Sequence, residues 1–279
     1  MNSSAPHPHR RRLTRAEVRR RRRNRGVTFL LTRHAAIPSA SAASAVSMPA
    51  QSIAEPTVSS AENTAAPANA LGLTADEARA MLADPLMVLV NHTNKMPDNY
   101  TFDTKECGSS TSVNKTLQTV ACDAFLAMQK AAAADGVTVW MQSGYRSVKY
   151  QTSLYERKTK YYLDKGYDNA TAKEKAAAVV NPPGYSEHNC GLAADLNSPE
   201  HTGLDEGFEK TAAFRWLCEH AGDYGFILRY PKDAEDKTEI IYEPWHWRYV
   251  GVENAAKINA SGLCFEEYIE TLQSIAAEG

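Results

Sequence analysis

The pattern of apolar and polar positions along residues 71–279 predicts a mixture of helices and short strands. Apolar residues recur at three- and four-residue spacing over 113–131, which indicates an amphipathic helix. The run 137–141 is β-branched and alternating, which indicates a strand. Thr74 and Glu77 have the spacing of a capping box, in which the two side chains satisfy free backbone N–H groups at a helix start. That helix is expected to end before the proline at position 85.

The same criteria predict further helices and strands along the rest of the chain. Helices are expected at about 147–164, 171–179, 211–223 and 265–276. Strands are expected at 192–196, 226–229, 239–242 and 247–250, with a strand or extended segment at 86–90. Because helices and strands do not alternate as regular βαβ units, the predicted fold class is α+β. We expect one domain of about 205 residues, with a small, mainly antiparallel sheet flanked by helices.

Charge is distributed very unevenly along the chain. Residues 1–33 hold eleven arginines and one acidic residue, which leaves 20 basic and 32 acidic residues in 34–279, a net charge of −12. Phosphate binding requires clustered positive charge, so we expect no nucleic-acid partner for this acidic body. No apolar run approaches the roughly 18–20 residues that span a bilayer. Five cysteines are too few for a disulfide scaffold.

Residues 1–34 form a basic N-terminal segment with the order of an export signal. Arginine clusters precede the apolar run 27–32, and small residues follow it. This run is shorter than the usual length of about 7–15 residues, so the signal is degenerate or the chain start is misassigned. The alternative is a disordered basic arm that contacts anionic lipid or polymer. Either interpretation allows membrane association through the N-terminus.

Residues 35–70 are rich in alanine, serine and proline. These three residue types occupy 24 of the 36 positions, and the segment contains no lysine, arginine or aromatic residue. Such a composition buries too little apolar surface to offset the loss of chain entropy. We therefore expect a disordered linker or stalk ahead of the domain at 71–279.

The first candidate metal ligands lie in the segment 182–196. Prolines and a glycine favour a turn, and the apolar run that follows contains a single charge, Asp195. A buried carboxylate is costly unless it is paired or binds a metal. His188 stands seven positions before Asp195, and the two side chains converge if the chain turns at Gly191. The alternative is an aspartate bonded to backbone beside a surface histidine.

A second candidate segment is rich in aromatic residues and contains Glu243 and His246. Pro244 stands between them and prevents a regular helix, so a turned or extended backbone holds both side chains. Zinc hydrolases require three protein ligands, an open position and a nearby general base. The alternative is that the aromatic residues around His246 serve only core packing.

A third segment, 142–151, follows a predicted strand and begins a predicted helix. Gly144 favours a tight turn, and Ser147 is the predicted N-cap residue. Arg146 would project from this junction, and its rigid fork of donors suits a carboxylate or an oxyanion. The alternative is a structural salt bridge.

Together, these segments resemble the VanY-type D-alanyl-D-alanine carboxypeptidases, zinc peptidases of bacterial peptidoglycan that share a fold with the hedgehog signalling domain. The resemblance covers about 86–272, and its motifs occur in the order of that family. The motifs are Ser143-Gly-Tyr-Arg-Ser147, Ser186-Glu-His188 with Gly191-Leu-Ala-Ala-Asp195, Tyr224-Gly-Phe-Ile-Leu-Arg-Tyr-Pro231, and Glu243-Pro-Trp-His-Trp-Arg-Tyr-Val-Gly251.

The resemblance implies a Zn²⁺ ion on the face of the sheet. Its ligands would be His188, Asp195 and His246, the positions that match the family's His, Asp and second His. Cys190 stands between two of them, where relatives usually have a polar residue. A thiol is a potential zinc ligand, but the aspartate at the expected spacing favours a spectator role for Cys190.

The resemblance also implies roles for residues around the metal. Glu243 matches the general base, and Arg146 matches the arginine that stabilises the transition state. Ser186, Gln151 and Tyr145 match positions near the substrate cleft. The implied reaction is removal of the C-terminal D-Ala from a peptidoglycan stem peptide.

Several alternatives remain within and beyond this family. Enzymes of the same fold include L,D-carboxypeptidases and peptidoglycan endopeptidases, and a non-catalytic wall-binding module is a further alternative. The presence of Glu243, Arg146 and all three ligands argues against that module. We expect a monomer that acts outside the cytoplasm, at the cell surface or anchored to the membrane. No cysteine pairing follows from spacing, and Cys218 is expected in the core.

Overall fold

The computed structural model describes residues 71–110 and 112–278. The predicted basic segment 1–34 and linker 35–70 lie outside these residues. The helices are α1 Ala75–Ala83, α2 Thr119–Ala134, α3 Val148–Asp164, α4 Asn169–Ala177, α5 Ala212–His220, α6 Glu235–Thr238, α7 Val252–Ser261 and α8 Phe265–Ala277. The strands are β1 Thr104–Glu106, β2 Thr116–Gln118, β3 Trp140–Ser143, β4 Ala193–Asn197, β5 Phe226–Leu228 and β6 His246–Tyr249.

The central sheet has four strands in the order β3-β4-β6-β5, and every neighbouring pair is antiparallel. A separate antiparallel hairpin is formed by β1 and β2. Helices flank the sheet, so the predicted α+β class with a small antiparallel sheet is confirmed. None of the helices in the described part of the chain is long and apolar enough to cross a membrane.

The two central strands are buried on both faces, and the two faces differ in character. In a strand, side chains alternate between faces. Leu196 of β4 and Trp247 of β6 therefore join Phe125 of α2 in the main hydrophobic core. Asp195 and His246, one position earlier in each strand, lie on the opposite face and are also buried. One face of the sheet thus packs into the hydrophobic core, and the other face presents buried polar side chains.

A second apolar cluster lies apart from the main core. It joins α1, α7 and α8 through buried side chains such as Met81, Ile258 and Leu272. Ile227 of β5 belongs to the same cluster. This cluster holds the first and last helices of the domain against the outer strand of the sheet.

Two helix starts follow the predicted local signals. The capping box of α1 is confirmed, because the Thr74 backbone N–H donates to Glu77 Oε2 at 2.7 Å and the Glu77 N–H donates to Thr74 Oγ1 at 3.2 Å. Ser147 caps α3, since its Oγ accepts from the Tyr150 N–H at 3.2 Å. Capping depends on residues three positions apart, so it is visible in sequence.

The helix predicted at 113–131 begins later, at Thr119. The residues just before it form β2 and an edge contact instead. Val113 is exposed, and its N–H donates to Gln142 O at 2.8 Å. The hydrogen bond of Val113 to β3 and the pairing of Leu117 with Lys105 of β1 therefore override the helical spacing of the first two apolar positions.

The strand predicted at 239–242 is wrong. Glu239 has φ of 58°, in the left-handed region, and ends the short helix α6. The segment predicted at 86–90 begins with a 3₁₀ turn, Pro85–Met87. Proline suits the first position of such a turn, because it has no N–H to leave unpaired. Cys218 is exposed rather than in the core, and α7 was not predicted.

Gly225 provides a sharp test of the packing between β5 and α7. Its φ is 81°, and an added Cβ would lie 2.9 Å from the backbone carbon of Gly251. Gly136, with φ of 76° and open space around the Cβ position, is the matched control. We expect Gly136→Ala to lower the free energy of unfolding by about 1–2 kcal/mol through left-handed strain alone. Gly225→Ala should lower the free energy of unfolding by about 3 kcal/mol or more, because the added Cβ would also collide with the backbone of Gly251. Urea unfolding of both variants measures the difference, and equal losses would contradict the close approach.

Candidate active site

Three side chains converge on the polar face of the sheet. His188, Asp195 and His246 are buried, and one ligand atom of each lies within 4.8 Å of the others. Asp195 Oδ1 is 3.3 Å from His188 Nε2 and 3.3 Å from His246 Nδ1. Two imidazole nitrogens and one carboxylate oxygen form a donor set that fits Zn²⁺.

Strand register and one tight turn produce this convergence. Asp195 of β4 and His246 of β6 are paired directly across the sheet, so their side chains share a face. His188 lies in the 3₁₀ turn Glu187–Cys190, which ends at Gly191 with φ of 69°. The chain therefore does turn at Gly191, and the turn brings His188 back over Asp195.

The protonation of His188 follows from its hydrogen bond. His188 Nδ1 lies 2.8 Å from Gly144 O, and a carbonyl oxygen only accepts, so Nδ1 carries the proton. Nε2 is then left with a lone pair that faces Asp195. Burial, with help from Arg146, lowers the pKa of His188 to about 4, so the ring is neutral at neutral pH. A neutral imidazole held in one tautomer is suited to metal binding.

His246 faces a carboxylate on each side of its ring. Nδ1 faces Asp195, and Nε2 lies 3.5 Å from Glu187 Oε2. Although burial opposes it, the adjacent carboxylates of Asp195 and Glu187 raise the pKa of His246 to about 9. A metal bound at Nδ1 would take the place of a proton on that nitrogen.

Arg146 holds the second oxygen of Asp195. Its Nη2 donates to Asp195 Oδ2, and its Nε donates to Ser143 Oγ at 3.0 Å. The Arg146 backbone N–H also donates to His188 O at 2.9 Å. Although burial opposes ionisation, charged neighbours such as the Arg146 guanidinium hold the pKa of Asp195 well below its usual range. The aspartate is therefore a carboxylate with Oδ1 directed at both histidines.

Glu243 lies beside the three converging side chains. Its Oε2 is 3.6 Å from His246 Nδ1, and its side chain is 7% exposed. The His246 N–H donates to Glu243 O at 3.2 Å, which closes a turn around Pro244. Burial raises the pKa of Glu243 to about 8, and Asp195 adds to the effect. A carboxyl group with this pKa can accept and release a proton near neutral pH.

A cleft of about 220 Å³ opens onto these residues. It is lined by the five residues described above that carry the predicted chemistry, together with Gln151, Leu154, Val179, Val180, Asn181, Ser186, Leu204, Tyr230, Ile240 and Trp245.

Two of the three predicted substrate-binding residues line this cleft. Ser186 is a buried part of the lining, and Gln151 donates through Nε2 to Asn181 O at 2.7 Å. Gln151 Oε1 has no hydrogen-bond partner among the described residues. Tyr145 does not line the cleft, because its ring packs edge-on against Phe102 at 5.7 Å.

Sequence and structure comparisons identify known proteins that are similar to this chain. The VanY family profile, described as D-alanyl-D-alanine carboxypeptidase, matches residues 114–252. A D-alanyl-D-alanine carboxypeptidase of Enterococcus faecalis (strain ATCC 700802 / V583) is 38% identical over 187 residues, 66% of this chain and 66% of that protein. The vancomycin resistance D,D-pentapeptidase VanY from the VanB-type cassette, solved in complex with Zn(II), is 36% identical with a TM-score of 0.59. The match covers 67% of this chain and 99% of that one.

The chain belongs to the VanY D-alanyl-D-alanine carboxypeptidase family. The family resemblance inferred from the motifs is therefore confirmed. The LD-carboxypeptidase LdcB is also similar in structure, with 34% identity and a TM-score of 0.59. That match covers 68% of this chain and 88% of LdcB.

Behind the cleft of this VanY-family domain lies a buried charge network, which we define as Glu187, Arg229, Arg248 and Glu266. Arg229 Nε and Arg248 Nη1 donate to the same oxygen, Glu187 Oε1, at 2.7 and 2.8 Å. Arg229 also bonds both oxygens of Glu266, at 2.7 and 2.5 Å. Although burial opposes ionisation, the two arginines hold the pKa of Glu187 well below its usual range.

The network connects the metal-ligand candidates to distant parts of the chain. Glu187 Oε2 is buried and has no hydrogen-bond partner within the described part of the chain, and the same holds for His246 Nε2, which lies 3.5 Å away. Carboxylates in this position commonly orient a metal-binding histidine. Arg248 Nη2 donates to Leu86 O and Val88 O at 2.8 and 2.9 Å. The network therefore links the site to the segment that follows α1.

Sequence reasoning assigned no role to any member of this network. Three of them stand inside the motifs quoted above. Arg248 could have been identified from the sequence, because a charged residue two positions after His246 in a buried strand indicates a buried partner. Arg248 shares the polar face of β6 with His246 for that reason. Glu266 offered no such signal, since it lies in the first turn of α8, far away in sequence.

Replacing Glu187 tests the importance of the network for folding. We expect Glu187→Gln to lower the free energy of unfolding by about 3–5 kcal/mol, because two fully buried arginines would lose a shared carboxylate. The matched control is Asp164→Asn, which breaks the exposed Lys160–Asp164 pair and should leave stability unchanged within error. Urea unfolding of the metal-free proteins measures both changes. If Glu187→Gln unfolded at the same urea concentration as the wild type, the network would not contribute to the stability of the fold.

Proposed function

We propose that this protein is a zinc-dependent D,D-carboxypeptidase that removes the C-terminal D-Ala from peptidoglycan stem peptides. The observation that carries the proposal is the cluster of His188, Asp195 and His246 beside the buried Glu243, inside a cleft. Family membership supports it, since the Enterococcus faecalis relative is a D-alanyl-D-alanine carboxypeptidase. The VanY structure in complex with Zn(II) supports the choice of metal.

In this proposal, three side chains hold the metal. His188 would bind through Nε2, Asp195 through Oδ1 and His246 through Nδ1, the atoms that face one another. Three protein ligands leave a coordination position open, as catalytic zinc sites require. When bound, Zn²⁺ supplies Lewis acidity, which polarises a peptide carbonyl and lowers the pKa of water to about 7.

Glu243 is proposed as the general base and acid. Its Oε2 would take a proton from the attacking water and then deliver it to the amine of the leaving D-Ala. Burial raises the pKa of Glu243 to about 8, so the proton it accepts is held until the amine leaves. A neighbouring divalent cation would favour the carboxylate form that starts the cycle.

Arg146 is proposed to act at two points. Through Nη2 and Nε it keeps Asp195 and Ser143 in place. Its Nη1 donates to no partner among the described residues, so we assign Nη1 to the oxyanion that develops on the scissile carbonyl.

Two residues of the cleft are proposed to position the substrate. Ser186 can donate to the free carboxylate that distinguishes a terminal residue. Gln151 Oε1, which lacks a partner, can accept from a peptide N–H. Tyr145, packed on Phe102 outside the cleft lining, would support the Gly144 loop rather than contact the stem peptide.

The substrate also suggests where the protein acts. Peptidoglycan lies outside the cytoplasmic membrane, so we propose extracytoplasmic action. The basic segment 1–34 would then be the cytoplasmic flank of an export or anchoring signal, with 35–70 as spacer. The acidic domain would work as a monomer without nucleic acid.

Product analysis with a muramyl pentapeptide tests the reaction directly. We expect release of free D-Ala from the pentapeptide, loss of release with a chelator, and recovery when Zn²⁺ is added back. Liquid chromatography of the products measures all three. Absence of D-Ala release by the zinc-loaded protein would contradict the proposal.

L,D-carboxypeptidase activity is the second candidate, favoured by the similarity to LdcB. Incubation with a tetrapeptide stem separates the two candidates, since D,D activity needs a terminal D-Ala-D-Ala. Release of D-Ala from the tetrapeptide but not the pentapeptide would replace the first candidate with the second. Cleavage within a cross-link would indicate an endopeptidase, and zinc-dependent binding to wall fragments without cleavage would indicate a binding module.

Substitution of Glu243 tests its role separately from metal binding. We expect Glu243→Ala to lower the rate of D-Ala release by about 10²–10⁴-fold or more while zinc content stays at the wild-type level. Glu235→Ala, in the short helix α6, is the control and should retain activity. Turnover of Glu243→Ala at the wild-type rate would show that the base is another group.

A further inference from the structure

Two cysteines meet where the β1–β2 hairpin crosses the start of α2. Cys107 directly follows β1, and its N–H donates to Lys115 O at 2.8 Å, across the hairpin. Cys122 lies in the first turn of α2 and is fully buried. Both are free thiols in the structure. No step of the proposed reaction uses either of them.

The contacts on both sides of these cysteines bring the two thiols together. The Thr119 N–H donates to Asp103 O at 3.0 Å, and Lys105 Nζ lies 2.5 Å from Asp123 Oδ1. This hydrogen bond and this ion pair hold β1 against the first turn of α2. Lys105 and Cys107 are two positions apart, so both side chains lie on the face of β1 that meets α2.

At this junction the thiols of Cys107 and Cys122 lie close enough for each to influence the ionisation of the other. Cys107 is partly buried and packs against the main hydrophobic core, to which Cys122 belongs. The thiol pair is therefore enclosed by the same side chains that fix the helix.

The other three cysteines have different surroundings. Cys190 Sγ donates to Glu187 O at 2.9 Å. Cys218 is exposed on α5, and Cys264 is the N-cap residue of α8. Of the five cysteines, all of which lie in the described residues, Cys107 and Cys122 are the two whose thiols influence each other.

We propose that Cys107 and Cys122 form a disulfide bond in the mature protein. The two thiols lose two protons and two electrons, and one S–S bond forms. The electrons pass to an external disulfide oxidant, which is reduced to two thiols through a mixed disulfide. Cys107, the less buried of the two, forms the mixed disulfide, and Cys122 resolves it.

The disulfide would strengthen a part of the fold that has little support of its own. An isolated two-stranded hairpin is marginally stable, and every residue of β1 is exposed. The bond would close a loop of about 16 residues and attach the hairpin covalently to α2.

The hairpin in turn supports the cleft. Asn114 O and Thr116 O accept from the N–H groups of Gly144 and Tyr145, at 2.9 and 2.7 Å. Gly144 O accepts from His188 Nδ1. These hydrogen bonds therefore connect the hairpin, through Gly144, to the metal-ligand candidate His188.

The surroundings of the thiols also indicate when the bond forms. Burial and the neighbouring thiol raise the pKa of Cys107, and burial raises the pKa of Cys122. Thiols with raised pKa values exchange slowly, because the thiolate is the nucleophile. Oxidation therefore belongs to folding in an oxidising compartment, and the finished domain would resist later exchange.

Mass spectrometry of the full chain tests the bond. The protein is folded by secretion into an oxidising periplasm, or refolded in a glutathione redox buffer, and free thiols are alkylated after denaturation. We expect three alkylated cysteines and a non-reduced peptide that joins Cys107 to Cys122. Alkylation of both Cys107 and Cys122 under these conditions, or a link between another pair, would overturn the proposal.

Thermal unfolding provides a second readout with matched controls. Reduction with tris(2-carboxyethyl)phosphine should lower the Tm of the wild type by about 5–10 °C. The same treatment should leave the Tm of Cys107→Ala/Cys122→Ala unchanged, and Cys218→Ser should respond like the wild type. An equal response of the double variant and the wild type would contradict the bond. Neither measurement uses the peptidoglycan substrate, so this proposal and the proposed function fail independently.

Discussion

The interaction on which the site depends most is the sharing of one carboxylate, Glu187, by Arg229 and Arg248. All three side chains are withdrawn from water, where each unpaired charge would cost several kcal/mol. The pairing therefore fixes the relative positions of the 3₁₀ turn, the end of β5 and the middle of β6. The turn also carries His188, and the free oxygen of Glu187 faces His246. One charged residue thus places both histidines relative to each other before any metal is present.

The parts of the fold that the sequence predicts well are those with short-range causes. The capping box at Thr74 and the Ser147 cap act over three residues, so α1 and α3 begin where expected. Errors occur where distant partners decide the local structure. Val113 fits the helical spacing of the residues after it, but its N–H is bonded to the backbone of β3. Glu239 stands in an apolar run that resembles a strand, yet its left-handed backbone ends a helix.

The sequence motifs indicate which residues to expect at the candidate site, but they do not show how those residues contact one another. Motif order alone indicated His188, Asp195 and His246, and the structure brings them together. The bond from Arg146 to Asp195, the atom through which each histidine faces the others, and the contact of Glu187 with His246 all depend on side-chain geometry across distant segments. Tyr145 illustrates the same limit, because it adjoins Arg146 in sequence but packs on Phe102.

The direct pairing of Asp195 with His246 has a consequence for how the protein becomes active. Because strand side chains alternate with a period of two, a slip of β6 by one residue would exchange its two faces. Trp247 would then enter the cleft, and His246 would enter the hydrophobic core. Such a misfolded sheet would retain its backbone hydrogen bonds and its helices while losing the ligand set altogether. The protein can therefore be active only if β4 and β6 are paired in the correct register. An activity measurement on this domain thus also reports the fraction of molecules whose sheet has that register.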